Sequence, residues 1–148
     1  MQLQLEGSRE INLPREKVFD LLTDSSFIAS SLPDAEEVSV VDKDTVDARL
    51  KVKIALVSVS MKARIKLGER ERPNFGTLYV EGSGGGSNVK IKSRFELHDQ
   101  SKTIMKWNAQ VEITGVMAGL GATILKSFAD RKVSEIFESI TKKMEGSN

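Results

Sequence analysis

The sequence contains 148 residues, with 22 basic and 21 acidic side chains, one histidine and no cysteine. This length is typical of one domain, and we expect a single domain over residues 1–148. The lack of cysteine excludes disulfides, Cys-based zinc sites, iron–sulfur clusters and a thiol nucleophile. The one histidine, His98, excludes a histidine-rich metal site and falls in a predicted solvated turn. We therefore expect neither a metal centre nor a catalytic site.

The hydropathy pattern shows no segment for crossing a membrane or for secretion. No apolar run approaches the roughly 20 residues that a membrane-spanning helix needs. Residues 1–6 also lack the charged start and the apolar stretch that are typical of a signal peptide. We therefore expect the protein to be cytoplasmic.

The N-terminal part of the chain predicts a strand followed by two short helices. Apolar residues fall on odd positions near residues 2–12, which is typical of a half-buried strand. Pro14 suits the start of a helix, because its missing N–H needs no partner there. Helical spacing continues over residues 15–32, with a break at residues 24–26. This segment is therefore interpreted as two short helices.

After Pro33 the apolar residues alternate with polar ones. Such alternation is typical of antiparallel strands that have one buried face and one wet face. The alternating segments lie near residues 46–54, 57–67, 75–81, 89–97 and 105–113. Together with the first strand and a weaker one near residues 36–41, they bring the predicted number of strands to seven.

The C-terminal segment returns to helical spacing, and its broad apolar stripe predicts one helix near residues 118–143. This helix is about 39 Å long, and an eleven-residue strand is about 36 Å long. One helix can therefore cross the full width of a sheet. The order of elements predicts an α+β fold, in which a curved antiparallel sheet of seven strands wraps around a long C-terminal helix.

The glycine-rich stretch at residues 82–87 lies between two predicted strands. A phosphate-binding loop needs a Lys-Ser/Thr pair and a helix after the glycines, whereas this run continues into Asn88-Val89-Lys90 and a strand. The pattern instead indicates a hairpin connection or a sharply bent sheet edge. Such a turn can also border the mouth of a pocket.

Most of the charged side chains at the outward-facing positions of the predicted strands are basic. The ten basic and four acidic side chains there give a net charge of +6, and the remaining residues carry a net charge of −5. Two interpretations remain open, a solvated lysine-rich face and a docking face for an acidic protein or an anionic membrane. Nucleic acid fits poorly, because Tyr79 is the only aromatic residue on this face. The basic residues are Arg49, Lys51, Lys53, Lys62, Arg64, Lys66, Lys90, Lys92, Arg94 and Lys106, and the acidic ones are Asp47, Glu81, Glu96 and Glu112.

The inward phase of the predicted strands is apolar, and we expect it to hold no ionisable side chain. Met61, Met105 and Met117 lie on it together with aromatic residues. Simple core packing explains this composition. A strongly curved sheet around one helix also tends to leave space, and an apolar lining without converging charges is typical of a lipid-binding cavity. Both interpretations remain open.

The chain resembles a known family over nearly its whole length. Its most specific segment is Gly115-Val116-Met117-Ala118-Gly119-Leu120-Gly121, in which a glycine, a small apolar stretch and Leu-Gly open the final helix. Supporting segments are residues 11–19, 32–36, 52–54 and 61–63, together with the glycine-rich stretch after Val80. These features resemble the CoxG group, a family of carbon monoxide dehydrogenase subunits within the START-like, SRPBCC superfamily.

The resemblance implies a helix-grip fold with a hydrophobic tunnel between the sheet and the long helix. The family is associated with molybdenum-containing carbon monoxide dehydrogenase-type enzymes, and its proposed roles are membrane recruitment and transport of a lipid-like quinone. Residues 55–56 are Ala-Leu, where many members have a Gly-Pro turn. Many members also continue into a linker and a hydrophobic C-terminal anchor, whereas this sequence ends at Glu145-Gly146-Ser147-Asn148, so the resemblance does not extend to an anchor of this kind.

The residues and the resemblance together predict a non-catalytic carrier of a hydrophobic small molecule, such as menaquinone or another lipid. It would serve a carbon monoxide dehydrogenase-type molybdenum hydroxylase and contact the inner face of the membrane peripherally. Two alternatives remain, a cyclase- or hydrolase-like enzyme with ionisable groups in the cavity, and an adaptor that docks through the basic face. We expect the ligand to enter near the glycine-rich turn. The predicted lining residues are Phe27, Leu32, Leu50, Val52, Met61, Trp107, Val111, Met117, Leu120, Ile124 and Phe128.

Overall fold

The computed structural model describes residues 1–146 of the chain. These residues form one seven-stranded sheet and three α-helices. The strands are β1 (Gln2–Ile11), β2 (Ala35–Asp42), β3 (Thr45–Ile54), β4 (Val57–Glu71), β5 (Phe75–Gly84), β6 (Ser87–Asp99) and β7 (Thr103–Gly115). The helices are α1 (Arg15–Leu22), α2 (Ser25–Ser31) and α3 (Ala122–Gly146), with a short 3-10 helix (Val116–Leu120) before α3.

The strand order of the sheet is β1-β7-β6-β5-β4-β3-β2, and each neighbouring pair is antiparallel. The edges of the sheet are therefore β1 and β2. This architecture confirms the predicted α+β class, the seven strands, the two short helices and the long C-terminal helix. The last two residues of the expected domain, 147–148, lie outside the described part of the chain.

Local sequence signals explain the two short helices. Pro14 precedes α1 in an extended conformation, and its carbonyl accepts a hydrogen bond from Val18 N at 3.1 Å. Asp24 is the N-cap of α2, and its carboxylate accepts hydrogen bonds from Ser26 N at 3.0 Å and Phe27 N at 3.4 Å. Such a cap satisfies backbone donors that a helix start otherwise leaves free. The break between the two helices is therefore specified by one aspartate.

The C-terminal helix differs from the prediction at its start. The segment predicted as one helix near residues 118–143 is divided into the 3-10 helix and α3. Gly121 separates the two with φ +91°, and Gly115 precedes the 3-10 helix with φ +89°. Residues with a side chain avoid this region of backbone conformation. The two glycines therefore allow the chain to turn twice before α3 begins, which a stripe of apolar residues does not reveal.

The glycine-rich stretch forms the β5–β6 hairpin. β5 continues to Gly84, beyond the predicted end near residue 81, and Gly85 and Gly86 make the turn with φ +59° and +76°. A side chain at Gly84 has no room, because its Cβ would overlap the carbonyl oxygen of Ser60 on β4. The hairpin interpretation is confirmed, and close approach of two backbones explains the glycine.

A two-residue turn, Ala55-Leu56, joins β3 and β4. Ala55 has φ +54°, which is unfavourable for a residue with a side chain, and Leu56 is 101% exposed. β4 begins to pair with β5 at Lys62, so the β3–β4 hairpin extends past the β5–β6 turn. We call this end of the molecule, formed by residues 55–57, 85–86 and 116–124, the hairpin end.

Position 115 requires glycine because of its backbone conformation and because of its surroundings. A Cβ at Gly115 would overlap the carbonyl oxygen of Gly86, in addition to the unfavourable positive φ. We expect Gly115→Ala to lower the free energy of unfolding by about 2 kcal/mol or more, as measured by urea denaturation. Gly119→Ala is the matched control, because no atom lies within 4 Å of a Cβ there. It should change stability by less than about 0.5 kcal/mol, and equal losses would contradict this explanation of the turn.

Candidate ligand-binding site between the sheet and the C-terminal helix

Buried apolar residues on the inner face of the sheet form three clusters. The first joins α1 and α2 to β1, β6 and β7, and it includes Met144 near the end of α3. The second joins β1, β4 and β7 to Leu125 near the start of α3. The third joins Ile28 of α2 to β3 and β4. Where these clusters meet α3, several of the side chains that pack against them are only half-buried.

Apolar side chains face this region from both sides without being fully buried. Strand alternation places some of them on the inner face, and helical spacing places the others on the side of α3 that faces the sheet. A closely packed interior would cover them almost completely. We call the region bounded by these half-buried apolar side chains the grip space. Its lining residues are Leu50, Val52, Leu78, Val80, Ile91, Phe128, Val133 and Ile136, all of which are half-buried.

α3 is anchored near its two ends and is half-buried between them. Leu125 is 1% exposed and Met144 is 0% exposed, and no other residue of α3 is buried to this extent in the described part of the chain. The two anchors are about 28 Å apart along the helix axis. α3 therefore lies over the inner face with its two ends packed into different clusters.

Polar contacts also hold α3 over the inner face. On one side, Lys132 Nζ donates a hydrogen bond to Asp34 Oδ2 at 2.8 Å. This hydrogen bond raises the pKa of Lys132, so the side chain keeps its charge at neutral pH. On the other side, Arg9 Nη2 donates to the carbonyl oxygen and to Oγ of Ser134, each at 3.4 Å. α3 is thus tied both to the start of β2 and to β1.

Arg9 corrects the expectation that the inward phase holds no ionisable side chain. It lies opposite Met105 in the register of β1 and β7, and therefore on the inner face. Arg9 is at an odd position of β1, like the buried residues of that strand, so the sequence pattern already indicated that it faces inward. Because its guanidinium contacts Ser134 at the edge of the sheet, Arg9 acts as a tether of α3 and not as a charge at the centre of the grip space.

Trp107 packs against both the first and the second cluster. Its ring centroid lies 4.9 Å from that of Phe137 on α3. Gly7 faces it across the β1–β7 pair, and a Cβ on Gly7 would lie 2.8 Å from the indole. The missing side chain at Gly7 therefore provides the room that the indole occupies. As the only tryptophan of the chain, Trp107 is a spectroscopic reporter for this region.

The structure brings many of the predicted lining residues together. Leu50 is half-buried on the inner face and belongs to none of the three clusters, and Leu32 packs against the third. Phe27 is buried in the first cluster, whereas Ile124 is exposed at the start of α3. The other predicted residues belong to the second cluster or pack against it, namely Val52, Met61, Trp107, Val111, Met117, Leu120 and Phe128.

Sequence reasoning missed the contributions of β5, β6 and the middle of α3. Leu78 and Val80 on β5, Ile91 on β6, and Val133 and Ile136 on α3 also line the grip space. Each of these residues lies on the apolar face predicted for its strand or helix, and this pattern is the sequence signal that could have identified it. Selecting them requires knowledge of which elements pack together, and the clusters of the folded chain provide that knowledge.

The outer face of the sheet is less basic than predicted. Strand pairing adds Glu6 and Glu10 of β1 and Glu37 of β2 to this face. Its arginines form ion pairs, and the hydrogen bonds from Arg64 lower the pKa of Asp47. The pairs are Arg49–Glu37 at 3.5 Å, Arg64–Asp47 at 2.7 Å and Arg94–Glu96 at 3.3 Å. The excess positive charge of this face therefore lies on its lysines.

An open depression of about 970 Å³ also lies on the outer face, across β2 to β7. Side chains of both signs line it, including Arg49, Lys62, Glu81 and Glu112. Because opposite charges on neighbouring strands offset one another, we interpret the depression as a solvated surface of mixed charge.

Residues 1–146 contain neither a candidate membrane-spanning helix nor a candidate metal site. No helix in this range has the length and the apolar character needed to cross a membrane. No group of three or more histidine, aspartate or glutamate side chains in the same range could hold a metal ion.

The curved sheet and the long helix over its inner face define a START-like protein. A START superfamily protein from Mycobacterium smegmatis has a TM-score of 0.71 with this chain at 10% identity, covering 98% of this chain and 99% of that one. The Zhui aromatase/cyclase from Streptomyces sp. R1128 has a TM-score of 0.65 at 13% identity, covering 98% and 94%. A conserved protein from Geobacillus kaustophilus has a TM-score of 0.87 at 25% identity, covering 98% and 97%. These similarities establish the fold.

Residues 7–145 match the CoxG family of carbon monoxide dehydrogenase subunits. The chain belongs to this family, which confirms the resemblance carried by the segment at residues 115–121 and its supporting segments. No curated protein matches the sequence significantly. The family name relates the chain to carbon monoxide dehydrogenase.

Substitution at Gly7 tests the position of the indole. We expect Gly7→Ala to displace Trp107 and to lower the free energy of unfolding by about 1–3 kcal/mol, because the added methyl group overpacks the interface. Fluorescence emission and thermal denaturation measure the two effects. Gly82→Ala is the control, since the nearest atom to a Cβ there is 3.7 Å away. An emission spectrum of Gly7→Ala that matches the wild type would contradict the packing described for Trp107.

Proposed function

We propose that this protein is a non-catalytic carrier that binds a hydrophobic small molecule, a quinone or another lipid, in the grip space. The observation that carries the proposal is the set of half-buried apolar side chains that face one another across this space. An apolar ligand would remove this surface from water together with its own, at about 0.8 kcal/mol for each buried CH₂ group. The span of about 28 Å between the anchors of α3 suits a long isoprenoid or acyl chain.

The chemistry of the interior supports binding over catalysis. None of the lining residues named above is ionisable, and Arg9 is engaged with Ser134 at the edge of the sheet. His98 lies outside the grip space, with its side chain 46% exposed beside Glu96. General acid–base catalysis needs a titratable group within hydrogen-bond reach of the substrate. The proposed function therefore includes no reaction.

The family suggests the partner. We propose that the protein serves a carbon monoxide dehydrogenase-type molybdenum hydroxylase, either by recruiting it to the membrane or by delivering a quinone as electron acceptor. A quinone with a long apolar tail dissolves in the bilayer, so its transfer to a water-soluble enzyme needs a protein that shields the tail. The proposed location is the cytoplasm, with peripheral contact at the inner face of the membrane.

Native mass spectrometry of gently purified protein tests the carrier function. We expect the mass of the chain plus one lipid-like ligand, or uptake of one menaquinone molecule when it is added. Binding should also change the emission of Trp107, which lies beside the grip space. Detection of the bare chain alone, with no uptake of added menaquinone, would refute the proposal.

Filling the grip space should block binding. Leu50 is half-buried and faces inward, whereas Lys51 beside it is exposed on the outer face. We expect Leu50→Trp to weaken menaquinone binding at least about tenfold, which corresponds to a loss of about 1.4 kcal/mol. Lys51→Trp adds the same bulk on the opposite face and should bind as the wild type does. Equal binding by the two variants, measured by fluorescence titration, would place the ligand elsewhere.

One observation favours the adaptor as a second candidate function. Tyr79 is 37% exposed on the outer face, in register between Lys66 of β4 and Lys92 of β6. An exposed tyrosine between two cations is typical of a contact point for an acidic protein surface.

Charge reversal tests the adaptor function. We expect the double variant Lys66→Glu and Lys92→Glu to abolish capture of the molybdenum hydroxylase in a pull-down. Lys106→Glu, on the same face but in β7, is the control and should retain capture. Unchanged capture by the double variant would exclude this part of the face as the docking site.

A further inference from the structure

The hairpin end exposes large apolar side chains from three separate segments. Leu56 and Val57 in the β3–β4 hairpin are 101% and 39% exposed. Val116 at the start of the 3-10 helix is 68% exposed, and Ile124 near the start of α3 is 44% exposed. None of these side chains belongs to the three buried clusters. Packing within residues 1–146 therefore does not account for their apolar character.

Backbone contacts bring these segments to one end of the molecule. Val116 N donates a hydrogen bond to the carbonyl oxygen of Gly86 at 3.1 Å, so the 3-10 helix begins beside the β5–β6 turn. A Cβ on Gly85 would touch Val59, so the same turn also lies beside the β3–β4 hairpin. Leu56 is three residues further along this hairpin, or about 10 Å beyond the turn. Leu56 and Val57 thus form a projecting tip, and Val116 and Ile124 lie further back at the same end of the molecule.

The segments that build the hairpin end contain no acidic residue. Residues 48–68, 82–95 and 113–129 carry six, three and one basic side chains, respectively, and no aspartate or glutamate. Lys51 and Lys53 are exposed on β3 directly behind the tip, and no ion pair involves either of them within the described residues. The apolar tip is therefore backed by uncompensated positive charge.

We propose that the hairpin end is a docking surface for an anionic lipid bilayer. Leu56, Val57, Val116 and Ile124 would enter the interfacial region, where peripheral proteins bury apolar groups by about 5–10 Å. Lys53 lies about 10 Å behind Leu56 along the strand, which places its ammonium group at the level of the headgroups. Attraction between lysines and anionic headgroups falls off within a Debye length of about 8 Å at physiological salt.

The arrangement favours a bilayer over a protein partner. A protein interface needs one continuous, closely complementary surface, whereas the apolar groups here stand on separate loop ends. A fluid bilayer can receive each loop end independently. The purpose of docking rests on the proposed carrier function. β3 carries Lys51 and Lys53 together with the lining residue Val52, and α3 carries Ile124 together with the lining residue Phe128. Docking would bring the grip space to the phase in which a hydrophobic ligand dissolves.

Vesicle flotation tests the apolar part of this surface. The full chain should float with phosphatidylcholine vesicles that contain phosphatidylglycerol, and added salt should weaken the association. We expect Leu56→Ser to weaken it at least about tenfold, with an unchanged melting temperature because the side chain is fully exposed. Val40→Ser is the matched control, since Val40 is 46% exposed on the edge strand β2, away from the hairpin end, and should leave flotation unchanged.

The same assay tests the basic part. Lys51→Gln combined with Lys53→Gln should remove the preference for phosphatidylglycerol. Lys102→Gln combined with Lys106→Gln is the control, because these lysines lie towards the β6–β7 turn at the opposite end of the sheet, and it should keep the preference.

Several outcomes would overturn the docking surface. One is a wild type that does not float with phosphatidylcholine vesicles, whether or not they contain phosphatidylglycerol. Another is a Leu56→Ser variant that floats as the wild type does. Loss of hydroxylase capture in Leu56→Ser with intact flotation would make the hairpin end a protein interface instead. Menaquinone uptake in bilayer-free solution separates this inference from the carrier function. Uptake without vesicle binding overturns only the docking surface, and vesicle binding without uptake overturns only the carrier.

Discussion

The architecture of the candidate site depends on how α3 is buried, fully at one residue near each end and only partly between them. Leu125 and Met144 are packed into different clusters, about 28 Å apart along the helix. A straight helix cannot follow a sheet that curves and twists beneath it over such a length. Between the anchors, Phe137 packs against Trp107 of the sheet, whereas Phe128, Val133 and Ile136 remain half-buried. Arg9 and Lys132 then keep the helix in this position through polar contacts at the sheet edge and at Asp34.

Glycine determines how the chain reaches that arrangement. Gly121 allows the chain to leave the 3-10 helix and begin α3 in a new direction, and Gly115 allows the preceding turn against Gly86. On the sheet itself, Gly7 leaves space for the indole of Trp107, which then packs against Phe137 of α3. At these three glycines, the missing side chain permits a turn or a close approach of another group.

Charge is distributed by the same alternation that separates the two faces of the sheet. Arginines on the outer face find carboxylates on neighbouring strands, as Arg64 does with Asp47. The lysines behind the hairpin end have no such neighbours, because residues 48–68 include no acidic side chain. The arginines Arg49, Arg64 and Arg94 of the outer face are accordingly paired with carboxylates, whereas Lys51 and Lys53 form no ion pair within the described residues. An overall net charge of +1 conceals this arrangement entirely.

Much of the fold could be predicted from the sequence, because strand alternation and helical spacing are local properties. The strands, the break at Asp24, the long final helix and the family segment at residues 115–121 all agree with the structure. The site was predicted less completely. The apolar stripe of the last helix includes both Ile124 and Leu125, and only the rotation of α3 after Gly121 decides that Leu125 is buried and Ile124 is exposed.

The sequence by itself determined which residues are apolar, which strands alternate, where glycine permits a turn and where acidic residues are missing. Only the tertiary structure decided that Arg9 reaches α3, that Leu78 and Val80 pack against the third cluster, and that Leu56 and Val116 lie at one end of the molecule. The physical reason is that periodicity along a chain specifies the face on which a side chain lies, whereas strand order, sheet curvature and helix rotation specify what that face meets.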